Sequence, residues 1–154
     1  MELIVGMGEY LISDNEGDIL RTFALASCVA VTVYSPRRKA AGMIHVVLPS
    51  PLDSKDITKR PGYFAATGIP LLIGAMCQRY GCLKEELHIQ MFGGADSINS
   101  QDIYKVGLKN IDAVKYALLS MGLTILKADL RGNDSRTLEM DVKTGAIKVL
   151  RQPI

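Results

Sequence analysis

Apolar residues along this chain fall into short runs with two different spacings. Val29-Ala30-Val31-Thr32-Val33-Tyr34 is β-branched and almost wholly apolar, which predicts a strand covered on both faces. Pro36 to Ala40 turns the chain. Met43 to Leu48 then predicts a second strand, ended by Pro49 and paired antiparallel with the first. Upstream, Ile19 to Leu25 predicts another strand leading into Ser27-Cys28. Leu87, Ile89 and Met91 alternate with His88 and Gln90, the mark of a strand with one buried face, and this run passes into Phe92-Gly93-Gly94-Ala95. Leu123 to Ala128 reads as a strand. Arg136 to Val142 and Ala146 to Leu150 read as a hairpin around Thr144-Gly145.

Helical spacing occurs twice. Ile69, Leu72, Ile73, Met76, Cys77 and Tyr80 recur at i, i+3, i+4, i+7, i+8 and i+11, and Gly81 stops them. Pro70 marks a kink or the true start of this helix. The second helix carries Ile111, Val114, Leu118 and Met121, with Asn110 as its expected N-cap and Gly122 as its stop. Residues 50–60 are polar and bounded by prolines, which predicts a surface loop. Seven or eight strands clustered in hairpins, with only two helices, predict the α+β class: layered β-sheets, mostly antiparallel or mixed, with two main helices packed outside. Too few crossover helices exist for a parallel doubly wound fold. At 154 residues, the expectation is one domain over 1–154.

Composition narrows the function classes. Eighteen Lys+Arg against sixteen Asp+Glu leave a formal charge of +2, which gives no reason to expect a polyanion such as nucleic acid as partner. The densest basic run, Arg37-Arg38-Lys39, is read as a solvated hairpin tip. No stretch is long and apolar enough to insert in a membrane. Glu2 and Glu9 replace the basic start of a secretory signal, and an odd three cysteines fit free thiols in a reducing cytoplasm.

Two residues suggest chemistry. Cys28 sits where an extended segment enters a buried strand, and a cysteine nucleophile needs a base beside it. His45 lies on the next strand. Counting back from a turn near Arg38 and Lys39 returns the chain to the level of Val31 or Val29, so Cys28 and His45 can meet at one end of the pair. The alternatives are a small buried hydrophobe at Cys28 and a packed, backbone-bonded imidazole at His45. His88 is read as solvated and Cys77 as core. Cys77 and Cys82 fit no zinc spacing, so no metal is expected. Gly93-Gly94 lacks the rest of a phosphate loop. It is read either as a tight turn or close backbone packing, or as a wall of the site that lets substrate approach.

The residues also resemble a known family in order and over nearly the whole chain. Thr22-Phe23-Ala24-Leu25-Ala26-Ser27-Cys28-Val29 and Ala41-Gly42-Met43-Ile44-His45-Val46-Val47-Leu48-Pro49 are followed by Pro61-Gly62-Tyr63-Phe64-Ala65, Ile69-Pro70-Leu71-Leu72-Ile73, Met91-Phe92-Gly93-Gly94-Ala95 and Val106-Gly107-Leu108-Lys109-Asn110. Asp129, Gly132, Arg136 and Thr144-Gly145 complete the match. Together they resemble the bacterial chemoreceptor glutamine deamidases called CheD. Ala26, Ala66, Arg131 and Ser135 depart from that family's usual residues, glycine at three of the four.

The resemblance implies hydrolysis of receptor glutamine side chains to glutamate, with Cys28 as nucleophile, His45 as base and Thr22 as the third member. It implies Ser27, Gly93 and Gly94 on the substrate side, no metal or organic cofactor, and a cytoplasmic location. The implied partners are the chemoreceptor cytoplasmic domain and a CheC-type phosphatase. The rival expectation is a non-catalytic adaptor that binds receptor and CheC.

Overall fold

A computed structural model describes residues 1–51, 60–96 and 104–154. Among them the chain runs through β1 (Glu2–Ile4), β2 (Tyr10–Ser13), β3 (Ile19–Leu25), β4 (Val29–Ser35), β5 (Ala40–Val46), α1 (Ala65–Gln78), β6 (His88–Gly93), α2 (Val106–Ser120), β7 (Ile125–Leu130), β8 (Asp134–Asp141) and β9 (Ile147–Pro153). The strands form a four-stranded sheet in the order β1-β3-β8-β9 and a five-stranded sheet in the order β2-β5-β4-β6-β7. Both sheets are mixed. β1 pairs parallel with β3, and β6 pairs parallel with β7. The other pairings are antiparallel. This is the α+β layering that the residue pattern predicts.

Alternation along the strands builds two apolar layers. One is shared between the sheets, where Leu20, Leu25, Ala30, Met43, Leu138 and Met140 meet. The other joins the five-stranded sheet to the helices through Val31, Ile44, Ile69, Leu72, Val114 and Leu118. The central strand β4 is buried at every position, as a strand covered on both faces must be.

β3 breaks its alternation on purpose. Thr22 pairs with Leu138 and Leu25 with Arg136, so the strand carries one extra residue between them. Ala24 takes φ 53° within that bulge, and Phe23 and Ala24 are exposed. The bulge shifts the phase by one, so Thr22 and Leu25 both point inward.

Several expectations need correction. β1 and β2 were not foreseen. α1 starts at Ala65 instead of Ile69, with Pro70 inside it. Pro70 removes one backbone bond, to the carbonyl of Ala66, and the buried face of Ala65, Gly68, Ile69 and Leu72 holds the helix through it. α2 starts at Val106, and Asn110 is no N-cap: it is fully buried inside the helix. The 3.6-residue stripe shows only in the large apolar members of the helix, and the small Gly107 in the first turn carries none of it. β7 reads from the sequence only as a strand. It returns parallel to β6 through α2. Most of the polar loop expected at 50–60 lies outside the described residues. His88 is exposed, as expected, and the Arg37-Arg38-Lys39 tip is exposed too.

Candidate active site

The antiparallel register of β4 and β5 sets Ala30 opposite His45 and Val29 opposite Val46. Ala30 faces the layer between the sheets. Directly opposed residues share a face, so His45 points into that layer as well. Cys28 is two residues before Ala30 and packs on the same layer. It is thus a diagonal neighbour of His45, at a backbone separation of about 7–8 Å for such pairs. Thr22 reaches the same layer from the other sheet and meets His45 there, with Cys28 packed on that layer at the end of β4.

Thr22 and His45 are in direct contact. Thr22 Oγ1 lies 2.7 Å from His45 Nδ1, and it donates to the carbonyl of Val5 at 2.7 Å. A hydroxyl has one proton. Having given it to Val5, Thr22 can only accept from the imidazole. Nδ1 therefore carries the hydrogen and Nε2 the lone pair. Nε2 is buried and has no hydrogen-bond partner among the described residues. His45 is also clamped through its backbone. Its N–H donates to Glu9, and its carbonyl accepts from Gly8. Sequence reasoning missed this whole 5–9 segment, because its contribution is made by backbone atoms.

Cys28 is half-buried and Thr22 and His45 are buried. Burial pushes the His45 imidazole down to about 4. Burial likewise pushes the Cys28 thiol up to about 11, against a smaller lowering by its own backbone N–H. Both shifts favour the neutral forms. No hydrogen bond joins Cys28 to His45.

The loop before β4 is held by its carbonyls. Ala26 accepts from the N–H of Ala95 at 2.7 Å and Cys28 from that of Gly94 at 2.8 Å. Ser27, between them, accepts from Asn110 Nδ2 at 2.9 Å. All three carbonyls are bound to the scaffold; the N–H of Ser27 finds no acceptor among the described residues, and that of Cys28 lies against its own sulfur. Gly93 has φ 106°, and a Cβ there would lie 2.3 Å from the Cys28 carbonyl oxygen, so the close-packing alternative holds for this residue. Gly93 and Gly94 are buried.

The departures from the family pattern have separate outcomes. Ala26 has no positive φ, so it carries no strain at the turn. Arg131 does, at φ 67°, and its guanidinium pairs with Asp96. Ser135 lies in β8 and donates to the Gln152 carbonyl. Ala66 lines a groove of about 690 Å³ with Pro49, Pro70, Asp112 and Tyr116. That groove between α1 and α2 contains neither Cys28 nor His45. Among the described residues, no three His, Cys, Asp or Glu side chains cluster as metal ligands would, and no helix is long and apolar enough to cross a membrane.

A family model described as CheD chemotactic sensory transduction matches residues 47–151. The chain belongs to the CheD family. It is 43% identical over 151 residues to the probable chemoreceptor glutamine deamidase CheD of Syntrophotalea carbinolica, covering 96% of this chain and 93% of that one. It is 36% identical over 149 residues to the chemoreceptor glutamine deamidase CheD of Thermotoga maritima, covering 97% and 91%. These CheD alignments extend over the N-terminal strands that the family model leaves out. Among solved structures, YlmD from Geobacillus stearothermophilus shares the fold, with a TM-score of 0.53 at 14% identity over 79% of this chain and half of that one.

Proposed function

We propose that this CheD-family protein hydrolyses glutamine side chains to glutamate in the cytoplasmic helices of chemoreceptors, through a thioester on Cys28. The observation that carries the reading is the buried Thr22–His45 pair. It leaves a lone pair on Nε2, unclaimed, on the face that Cys28 shares. Relatives at 36–43% identity bear the name chemoreceptor glutamine deamidase, and that supplies the substrate.

The chemistry follows from the protonation states. In the free protein both groups are neutral, so the thiol proton moves to Nε2 as sulfur attacks the amide carbon. The oxygen of the tetrahedral intermediate takes up negative charge. The N–H groups of Ser27 and Cys28 are its donors, and such a donor is worth roughly 3 kcal/mol. Ammonia leaves with the proton from Nε2. Water then attacks the thioester and gives a proton to Nε2, and that proton returns to sulfur as glutamate departs. Thr22 keeps Nδ1 protonated throughout, the part an acidic residue plays in other triads. No step requires a cofactor. Ser27 lies on the substrate side, with Gly93 and Gly94 backing the wall of the site. Residues 1–154 act as one domain, the reaction takes place in the cytoplasm, and a CheC-type phosphatase is a further partner.

Purified protein incubated with a receptor cytoplasmic fragment tests this by mass spectrometry. Each converted side chain gains about one dalton, and Cys28→Ala abolishes the gain because no thioester forms. His45→Ala loses most activity and keeps receptor binding. Full activity in Cys28→Ala overturns the nucleophile. A wild-type protein that binds receptor without converting it supports the adaptor alternative.

A further inference from the structure

Asn110 was expected to cap a helix. It stands instead in the second turn of α2, fully buried, and its amide reaches into the site region from behind. Nδ2 donates to the carbonyl of Ser27 at 2.9 Å and to the carbonyl of Val47 at 2.9 Å. Ser27 precedes Cys28. Val47 follows His45 by two residues. One side chain thus ties the nucleophile's loop to the strand end that carries the base. We infer that Asn110 is a positioning residue, which fixes the Cys28 loop against the His45 strand through one amide nitrogen. This inference rests on the Cys28–His45 reading above.

Three observations support it. Both acceptors are carbonyls, so only the NH₂ end of the amide can serve, and Oδ1 is left buried without a partner. An orphaned acceptor is unfavourable. The arrangement persists because two N–H groups of one amide hold the Ser27 and Val47 carbonyls together just beyond the last paired residues of β4 and β5, Val29 and Val46. Second, the approach of α2 is made possible by Gly107, one turn earlier on the same face. A Cβ at Gly107 would lie 2.5 Å from the Ala95 carbonyl oxygen and 2.8 Å from that of Gly94. Third, Ala95 and Gly94 donate to the Ala26 and Cys28 carbonyls. The bond from Asn110 to Ser27 thus completes an unbroken row of three carbonyls held by the scaffold.

The test compares Asn110→Ala with wild type in two assays, after a thermal melt confirms folding. One assay is receptor deamidation, read as kcat and KM. The other is the rate of Cys28 alkylation by iodoacetamide against pH, resolved by peptide mass spectrometry so that Cys77 and Cys82 are read apart. Asn110→Ala should lower kcat roughly 10- to 100-fold with KM little changed. It should also speed Cys28 alkylation and move its pH profile toward that of an ordinary thiol. Asn110→Asp places a carboxylate against two carbonyls, so its activity relative to wild type should rise on acidification, when the acid regains one O–H donor. Wild-type kcat and an unmoved alkylation profile in a folded Asn110→Ala overturn the inference. So does a lower melting temperature with kcat per folded molecule unchanged, or a change confined to KM. If Asn110→Ala fails to fold, the same two readouts on Asn110→Ser decide. Alkylation needs no receptor. A wild type inert toward receptor, with a shifted profile in the variant, therefore rejects the deamidase reading and leaves the role of Asn110 standing.

Discussion

Thr22 has one proton and spends it on Val5, and that settles which nitrogen of His45 is basic. Thr22→Val keeps the β-branched shape and removes the oxygen, so Nδ1–H loses its acceptor in a dry layer. The expected result is a loss of roughly 1–3 kcal/mol in stability and a large fall in kcat, while Thr22→Ser restores most of both. Chemical denaturation and the mass-spectrometric assay measure the two effects separately. A Thr22→Val protein with wild-type kcat removes Thr22 from the mechanism. At this scale the closeness of Thr22 and His45 enters through the family resemblance, and the placing of Cys28 near His45 through the hairpin. The register of Ala30 with His45 agrees with that placing. Val5 and Asn110 were not legible. Val5 acts through its carbonyl, which any residue has, and Asn110 sits where an N-cap asparagine would be expected.

Element boundaries were harder to read than element types. β3 and β4 begin where the apolar runs begin, because β-branched residues mark both faces of a covered strand. β1 and β2 are short and separated by a segment with Gly6 and Gly8, and their strength comes from pairing with β3 and β5, which no local pattern reveals. The starts of α1 and α2 lie in small residues that pack backbone against backbone. For α2 this has a measurable consequence. Gly107→Ala forces a methyl group toward two carbonyl oxygens of the Gly94–Ala95 segment, and backbone gives way only by moving the helix. We expect a destabilisation of about 1–3 kcal/mol, and a lower kcat because the retreating helix draws Asn110 from the Ser27 carbonyl. Thermal melts with deamidation rates on the folded fraction check it. A stable variant with unchanged kcat means that the helix can settle elsewhere without disturbing the site.

For the molecule as a whole, His45 places an ionisable group between two sheets. Unfolded, its imidazole takes a proton at the ordinary 6.5; folded, only at about 4. Above pH 6.5 both states are neutral and this group adds no pH dependence. As pH falls from 6.5 toward 4 the unfolded chain binds a proton that the folded one refuses. Stability is therefore lost across that window, by on the order of 3 kcal/mol, and the loss levels off below it. Denaturation midpoints taken across the window, with His45→Gln as the reference lacking the group, isolate this effect. Equal slopes for the two proteins contradict it. The layered architecture was legible because hydrophobic alternation dictates it, whereas the two parallel pairings were not, since local alternation does not show which strands neighbour one another or in which direction.

The residues around the proposed site come from β3, β5, α2, the loop before β4 and the segment after β1, and they belong to both sheets and a helix. A ribosome releases Thr22, Cys28 and His45 early, yet Asn110 and the β8 strand that covers β3 emerge much later. Contacts of such long sequence separation form late. On the proposed mechanism, a nascent or truncated chain thus holds a thiol with no organised base and no fixed donors, and hydrolysis would begin only with the finished fold.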